Sequence, residues 1–99
     1  MNRKLFTSIV LRGEGIRLDY YLLEEQREDT CGNMLTCYGV EICQTPLDTF
    51  SFGAYLHRSV PDICCSRERI TAFLHELSDS RTDPSCLEDI VEELLYSMP

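Results

Sequence analysis

Two apolar stripes in the last third of the chain constrain its fold more than any other feature. The first follows the i, i+3, i+4, i+7 spacing of one buried helix side and comprises Ile70, Phe73, Leu74 and Leu77. The second has the same period and comprises Leu87, Ile90, Val91, Leu94 and Leu95. Helices of roughly three turns are marginal alone in water, so each stripe needs a partner surface from the earlier part of the chain.

Local signals place the ends of these helices. Ser66 is a good N-cap because its hydroxyl can accept a hydrogen bond from a free backbone N–H of the first turn. Asp83 can cap the second helix, and Pro84 suits its first position, where no N–H is needed. A capping box slightly later in the chain leaves that second start open. We predict helices over about residues 67–77 and 84–96.

The first half of the chain alternates in hydrophobicity with the period of two that half-buried strands show. We predict strands over about residues 4–11, 16–23 and 34–43, with a candidate fourth strand over 49–56. Gly13 and Gly15 lie in a turn typical of a hairpin, and Pro46 should end the third strand. We expect the charged run 24–33 to be a loop and residues 57–61 to lead into the first helix.

Strands that precede helices in this order are typical of an α+β fold rather than of βαβ units. We therefore predict a three- or four-stranded antiparallel sheet, mostly a meander, with both C-terminal helices packed on one face. A chain of 99 residues is long enough for one core, so we predict that residues 1–99 form a single domain.

The N-terminus and the cysteines predict a cytoplasmic protein. The basic start of the chain is not followed by a signal-peptide pattern, and no apolar run approaches the ~18 residues that span a bilayer. Six cysteines among 99 residues fall below the roughly 8–10% of disulfide scaffolds. We expect most of them to be reduced, partly buried thiols.

The charge of the chain points to proteins as partners. A net charge of −8 argues against direct nucleic-acid binding, which needs a basic stripe. Four acids lie opposite the second apolar stripe and define the acidic helix side: Glu88, Asp89, Glu92 and Glu93. A solvated helix side is the simplest interpretation. The alternative is a docking surface for a basic protein, since like charges at i, i+4 cost a few tenths of a kcal/mol per pair.

Strand alternation predicts a second candidate surface, the outer sheet face, which lies opposite the helices. Tyr21 and Leu23 fall on this face, and so do Leu35 and Cys37 of the next strand. An apolar patch there would indicate a protein partner or a homodimer.

Enzymatic and metal sites find less support. Paired carboxylates act as acid and base when their environments separate their pKa values, which an exposed helix side does not do.

Structural zinc sites show ligand pairs two to four residues apart, whereas Cys31, Cys37 and Cys43 are each six apart. Cys64 or Cys65 with His57 is the remaining metal candidate, and His75 beside the first stripe is expected to be structural. No nucleotide or hydrolase motif is present, so we predict no catalytic residue, cofactor or metal.

Several segments resemble a family of small uncharacterised proteins of clostridia-type Firmicutes, mainly over residues 38–95. The segments are Tyr38-Gly39-Val40-Glu41-Ile42, Val60-Pro61-Asp62-Ile63, Ser66-Arg67-Glu68-Arg69-Ile70 and the closing helix from Asp83 to Leu95. In that family the closing helix has a His where this chain has Cys86, which weakens any role for such a His. The resemblance implies the fold and a bacterial intracellular origin, and it implies no activity.

These observations favour a non-catalytic bacterial interaction module. It would bind another protein, or itself as a homodimer, through the outer sheet face or the acidic helix side, without direct nucleic-acid or membrane binding. The alternative is an acidic inhibitor or nucleic-acid mimic, of mobile-element or anti-defence type, that blocks a basic groove of a nucleic-acid enzyme. A thiol or metal enzyme is the third class, and it would require bound zinc or a cysteine of low pKa.

Overall fold

The computed structural model describes residues 1–48 and 55–97, which form an antiparallel sheet followed by two helices. In chain order the elements are β1 (Asn2–Leu11), β2 (Ile16–Glu28), β3 (Met34–Pro46), β4 (Leu56–Cys64), α1 (Arg67–Asp79), a 3-10 turn (Pro84–Cys86) and α2 (Leu87–Ser97). The strands lie in the order β1-β2-β3-β4, and each neighbouring pair is antiparallel. The predicted α+β meander is confirmed. Within the described ranges no helix is long and apolar enough to cross a membrane.

Strand β2 is longer than its composition indicates. It pairs with β3 without interruption from Ile16 opposite Pro46 to Glu28 opposite Met34. The charged stretch that we expected to be a loop therefore belongs to β2 as far as Glu28, because pairing with β3 satisfies the backbone N–H and C=O groups that face β3. The turn itself is short, and it is closed where the Asp29 carboxylate accepts hydrogen bonds from the backbone N–H groups of Cys31 and Asn33.

Strand β4 differs from the prediction. The candidate strand over 49–56 falls mostly on residues 49–54, which lie outside the described residues. Among the described residues the fourth strand runs over Leu56–Cys64 and includes the residues that we expected to lead into α1. Pro61 is tolerated there because β4 is an edge strand, and its register with β3 shifts beside Gly39 in a bulge. Asp62 in this bulge has a φ of 60°.

The core lies between the sheet and the helices. The first apolar stripe lies on α1 and is buried as predicted. It packs against one face of the sheet, which contributes these buried residues: Leu18, Tyr20, Val40 and Ile42. From α2, Leu87 and Val91 join this core, whereas Leu95 at the far end of that stripe is 49% exposed. The sheet contacts of α2 are mainly with the edge strand β4, and Leu94 rather than Leu95 packs against the core near the end of the helix.

A buried hydrogen bond joins the sheet to the connection between the helices. Tyr20 is fully buried, and its hydroxyl donates to the backbone oxygen of Thr82 at 2.8 Å. Burial, together with the negative charge of Asp83, raises the pKa of Tyr20 to about 12. The neutral, donating form of the phenol therefore persists to strongly alkaline pH.

Removing this hydroxyl should destabilise the protein. We expect Tyr20→Phe to lower the free energy of unfolding by about 1–3 kcal/mol, because the buried Thr82 oxygen loses its donor. In the wild type, the contribution of the neutral phenol is complete below its ordinary pKa of 10.0 and is lost as pH rises through about 12. Urea unfolding at neutral pH and above pH 10 measures both effects.

The matched control is Tyr96→Phe, because Tyr96 is 88% exposed. This variant should unfold within about 0.5 kcal/mol of the wild type. Equal stability of Tyr20→Phe and Tyr96→Phe at neutral pH would contradict the assigned hydrogen bond.

Candidate interaction surfaces

The acidic helix side is fully presented to solvent. Glu88, Asp89, Glu92 and Glu93 are all exposed on α2. Glu88 and Asp89 lie in the first turn, where a negative charge interacts favourably with the helix dipole. None of the four forms an ion pair within the described part of the chain. Their charges are therefore available to a partner.

Apolar side chains continue this surface at the C-terminal end of α2. Leu95 is 49% exposed and Tyr96 is 88% exposed, and with Glu92 they line a shallow depression. A tyrosine combines a large apolar area with a polar tip, which suits the edge of a protein interface. The end of α2 thus combines unpaired carboxylates with uncovered apolar area.

The outer sheet face carries the residues that alternation assigned to it, but long charged side chains cover part of it. Leu23 lies opposite Gly39 in the ladder and is only 4% exposed, and Tyr21 is half-buried opposite Glu41. The guanidinium carbon of Arg3 lies 3.8 Å from the centre of the Tyr21 ring, and Arg3 Nε is 2.8 Å from Glu41 Oε2. Leu23 therefore offers little surface to a partner.

The remaining charges of this face are also paired with one another. Arg27 Nη1 lies 2.7 Å from Asp62 Oδ2, and Arg17 Nε donates to Asp19 Oδ2 at 3.2 Å. Leu35 is 43% exposed, but it lies opposite Arg27, about six residues or ~20 Å along the ladder from Tyr21. Leu35 and Tyr21 therefore do not form a contiguous apolar patch on this face.

The metal candidates are not brought together. His57 pairs with Cys43, whereas Cys64 lies at the other end of β4, roughly 20 Å away at ~3.3 Å per residue. His75 packs edge-on against the ring of Phe6, with ring centres 4.8 Å apart. Over the residues that the structure describes, no group of three or more His, Cys, Asp or Glu side chains is arranged to hold a metal ion.

Sequence reasoning missed one close pair of thiols on the outer sheet face. The Sγ atoms of Cys37 and Cys65 are 3.6 Å apart, although the residues are separated by 28 positions. Burial, together with hydrogen bonds to Asp62 and Cys65, raises the pKa of Cys37 to about 11. No spacing motif marks this pair, because the register between β3 and β4 creates it.

Comparison with known proteins gives one family. A model described as a family of unknown function (DUF6514) matches residues 3–97, which extends the resemblance seen over 38–95 to nearly the whole chain. No curated protein and no solved structure matches the chain. The description of this family names no activity.

Proposed function

This chain belongs to the family of unknown function DUF6514, and we propose that it is a non-catalytic protein-interaction module whose contact surface is the acidic helix side. One observation carries the proposal. Four exposed carboxylates without an ion-pair partner in the described chain lie on α2, and one of them, Glu92, lines a shallow depression with the exposed Leu95 and Tyr96.

The two components of this surface have different physical roles. The carboxylates attract a basic partner surface, which raises the association rate and selects against acidic partners. Leu95 and Tyr96 supply apolar area that a partner can bury, which slows dissociation. The partner of the proposed complex is therefore a protein with a basic surface beside an apolar groove. From the sequence and the family resemblance, we propose that the complex forms in the cytoplasm of a clostridia-type bacterium.

The outer sheet face supports a partner less well. Its arginines are already paired with Glu41, Asp19 and Asp62, so a partner that used those charges would have to displace existing ion pairs. A homodimer would use this face rather than α2, because two copies of the acidic helix side repel each other.

The same unpaired carboxylates favour a second candidate function. An acidic helix without Lys or Arg is suited to a basic groove that normally binds nucleic-acid phosphates. In this case the protein would be an inhibitor or nucleic-acid mimic, and its partner would be a nucleic-acid enzyme. Salt distinguishes the two functions, because purely ionic binding weakens steeply with ionic strength and apolar contacts do not.

Affinity capture from the source bacterium tests the proposal. We expect a variant with Glu88→Gln, Asp89→Asn, Glu92→Gln and Glu93→Gln to lose at least about tenfold in partner retention at low salt, because electrostatic attraction is lost. The matched control is Glu76→Gln with Asp79→Asn, which neutralises exposed acids on α1. This control should retain the partner as the wild type does.

Further outcomes assign the function. Retention that survives high salt and falls in Leu95→Ala with Tyr96→Ala supports the mixed surface. Release by salt and by added DNA, with a nucleic-acid enzyme as the captured protein, supports the mimic. Equal retention by the α2 variant and the α1 control, or no partner at either salt, would contradict both.

A further inference from the structure

The outer sheet face holds a dithiol that the proposed interaction function does not use. We propose that Cys37 and Cys65 form a thiol-modification site that reacts with small-molecule disulfides and closes a cross-strand disulfide between β3 and the residue that follows β4. This inference is independent of the acidic helix side, because neither cysteine lies on α2.

The backbone places the two residues at bridging distance. Tyr38 pairs with Cys64, the last residue of β4, so Cys37 and Cys65 both directly adjoin this pair at the end of the antiparallel ladder. Directly opposed residues have Cα atoms about 4.5–5.5 Å apart, within the range that a disulfide spans. The two Sγ atoms are already 3.6 Å apart. Side-chain rotation alone can bring them to the ~2.05 Å of a sulfur–sulfur bond.

The two thiols differ in access, which sets the order of reaction. Cys65 is exposed, whereas Cys37 is 5% exposed and its thiol has a raised pKa. A disulfide arriving from solvent therefore meets Cys65 first. Cys37 then acts as the resolving thiol, because it lies against Cys65 and is shielded from the reagent.

The exchange balances in two steps. The Cys65 thiolate attacks one sulfur of the small disulfide, a mixed disulfide forms, and the first small thiolate leaves and takes up a proton. Cys37 loses its proton to solvent and attacks the Cys65 sulfur, which forms the cross-strand bond and expels the second small thiol. Two protein thiols are thus oxidised to one disulfide, and one small disulfide is reduced to two thiols.

The bond would join the end of the edge strand β4 to β3 immediately before α1. Ser66, the residue after Cys65, caps α1 by accepting a hydrogen bond from the backbone N–H of Arg69 at 3.2 Å. The neighbouring Cys64 is engaged elsewhere, since its thiol donates to the Ser66 backbone oxygen at 3.5 Å. Oxidation would therefore tie β4 and the start of α1 to the sheet centre.

Treatment of the native full-length protein with oxidised glutathione tests this site. After free thiols are blocked, peptide mass mapping should locate a bridge between Cys37 and Cys65. In Cys37→Ser, the resolving thiol is absent, so Cys65 should accumulate the glutathione adduct instead. Cys64→Ser is the matched control and should form the same bridge as the wild type, at a similar rate.

Circular dichroism of each variant confirms that it is folded before the reaction. Formation of the bridge in the wild type and in Cys64→Ser, with a trapped adduct in Cys37→Ser, supports the site. A wild-type protein that keeps Cys37 free beside a stable adduct on Cys65 would overturn it. Bridging between any other two cysteines, or identical products from wild type and Cys37→Ser, would overturn it as well.

Discussion

Replacing Gly39 with alanine should lower the free energy of unfolding by about 3 kcal/mol, because overpacking of a tight site forces the backbone to move. A Cβ at this position would collide with the Val60 carbonyl oxygen and lie 2.6 Å from the Pro61 Cα. Both atoms belong to the backbone of β4, so no side-chain rotation relieves the contact. Urea unfolding followed by circular dichroism measures the loss.

Gly13 provides the matched control for this substitution. A Cβ built at Gly13 meets nothing within 4 Å, so Gly13→Ala should change the stability by about 0.5 kcal/mol or less. If Gly39→Ala were as stable as Gly13→Ala, the close approach of the β4 bulge to β3 would be wrong. Gly39 also lies in the Tyr38-Gly39-Val40-Glu41 segment that carries the family resemblance. The close approach of the β4 backbone explains why this segment has a glycine at that position.

Truncating Leu74 to alanine should have a similarly large effect. Leu74 is fully buried on α1 between the helices and the sheet, and the substitution leaves a cavity as well as losing apolar contact. We expect a loss of about 3 kcal/mol in the free energy of unfolding, as for comparable buried leucines. Thermal unfolding and urea unfolding should both show that this variant is less stable than the wild type.

Leu95→Ala is the same chemical change at the opposite end of the helix pair. Because Leu95 is 49% exposed, its truncation should cost about 1 kcal/mol or less. Comparable losses at Leu74 and Leu95 would mean that the helices do not rest on the sheet in the way the structure describes. A small loss at Leu95 would also make that variant suitable for the partner-capture experiment, since the protein remains folded.

Local patterns were sufficient to predict most of the architecture. The α1 stripe from Ile70 to Leu77 is buried as its 3.6-residue period requires, and Ser66 caps that helix. The alternation of Ile16, Leu18 and Tyr20 places all three in the core. These features depend on residues that are close in sequence, so they can be derived without knowledge of the tertiary structure.

Predictions from local composition were wrong where strand pairing determined the backbone conformation. Charged residues after Leu23 favour a loop, but β3 offers a complete ladder of backbone partners, and β2 continues to Glu28. Pro61 suggests a break, but an edge strand with a bulge accommodates it. In both cases the conformation is decided by pairing with the neighbouring strand, which local composition does not reveal.

The candidate surfaces also include features that local sequence predicts and features that depend on tertiary contacts. The exposure of Glu88, Asp89, Glu92 and Glu93 follows from the apolar stripe on the other side of α2, so the sequence alone determined which helix side faces outward. Only the tertiary structure decided that Arg3 covers Tyr21 and that Cys37 meets Cys65. Those contacts depend on strand register and on a bulge. A shift of one residue in register would move these side chains to the opposite sheet face, and the register of β1 with β2 and of β3 with β4 shifts at an irregularity whose position no local pattern specifies.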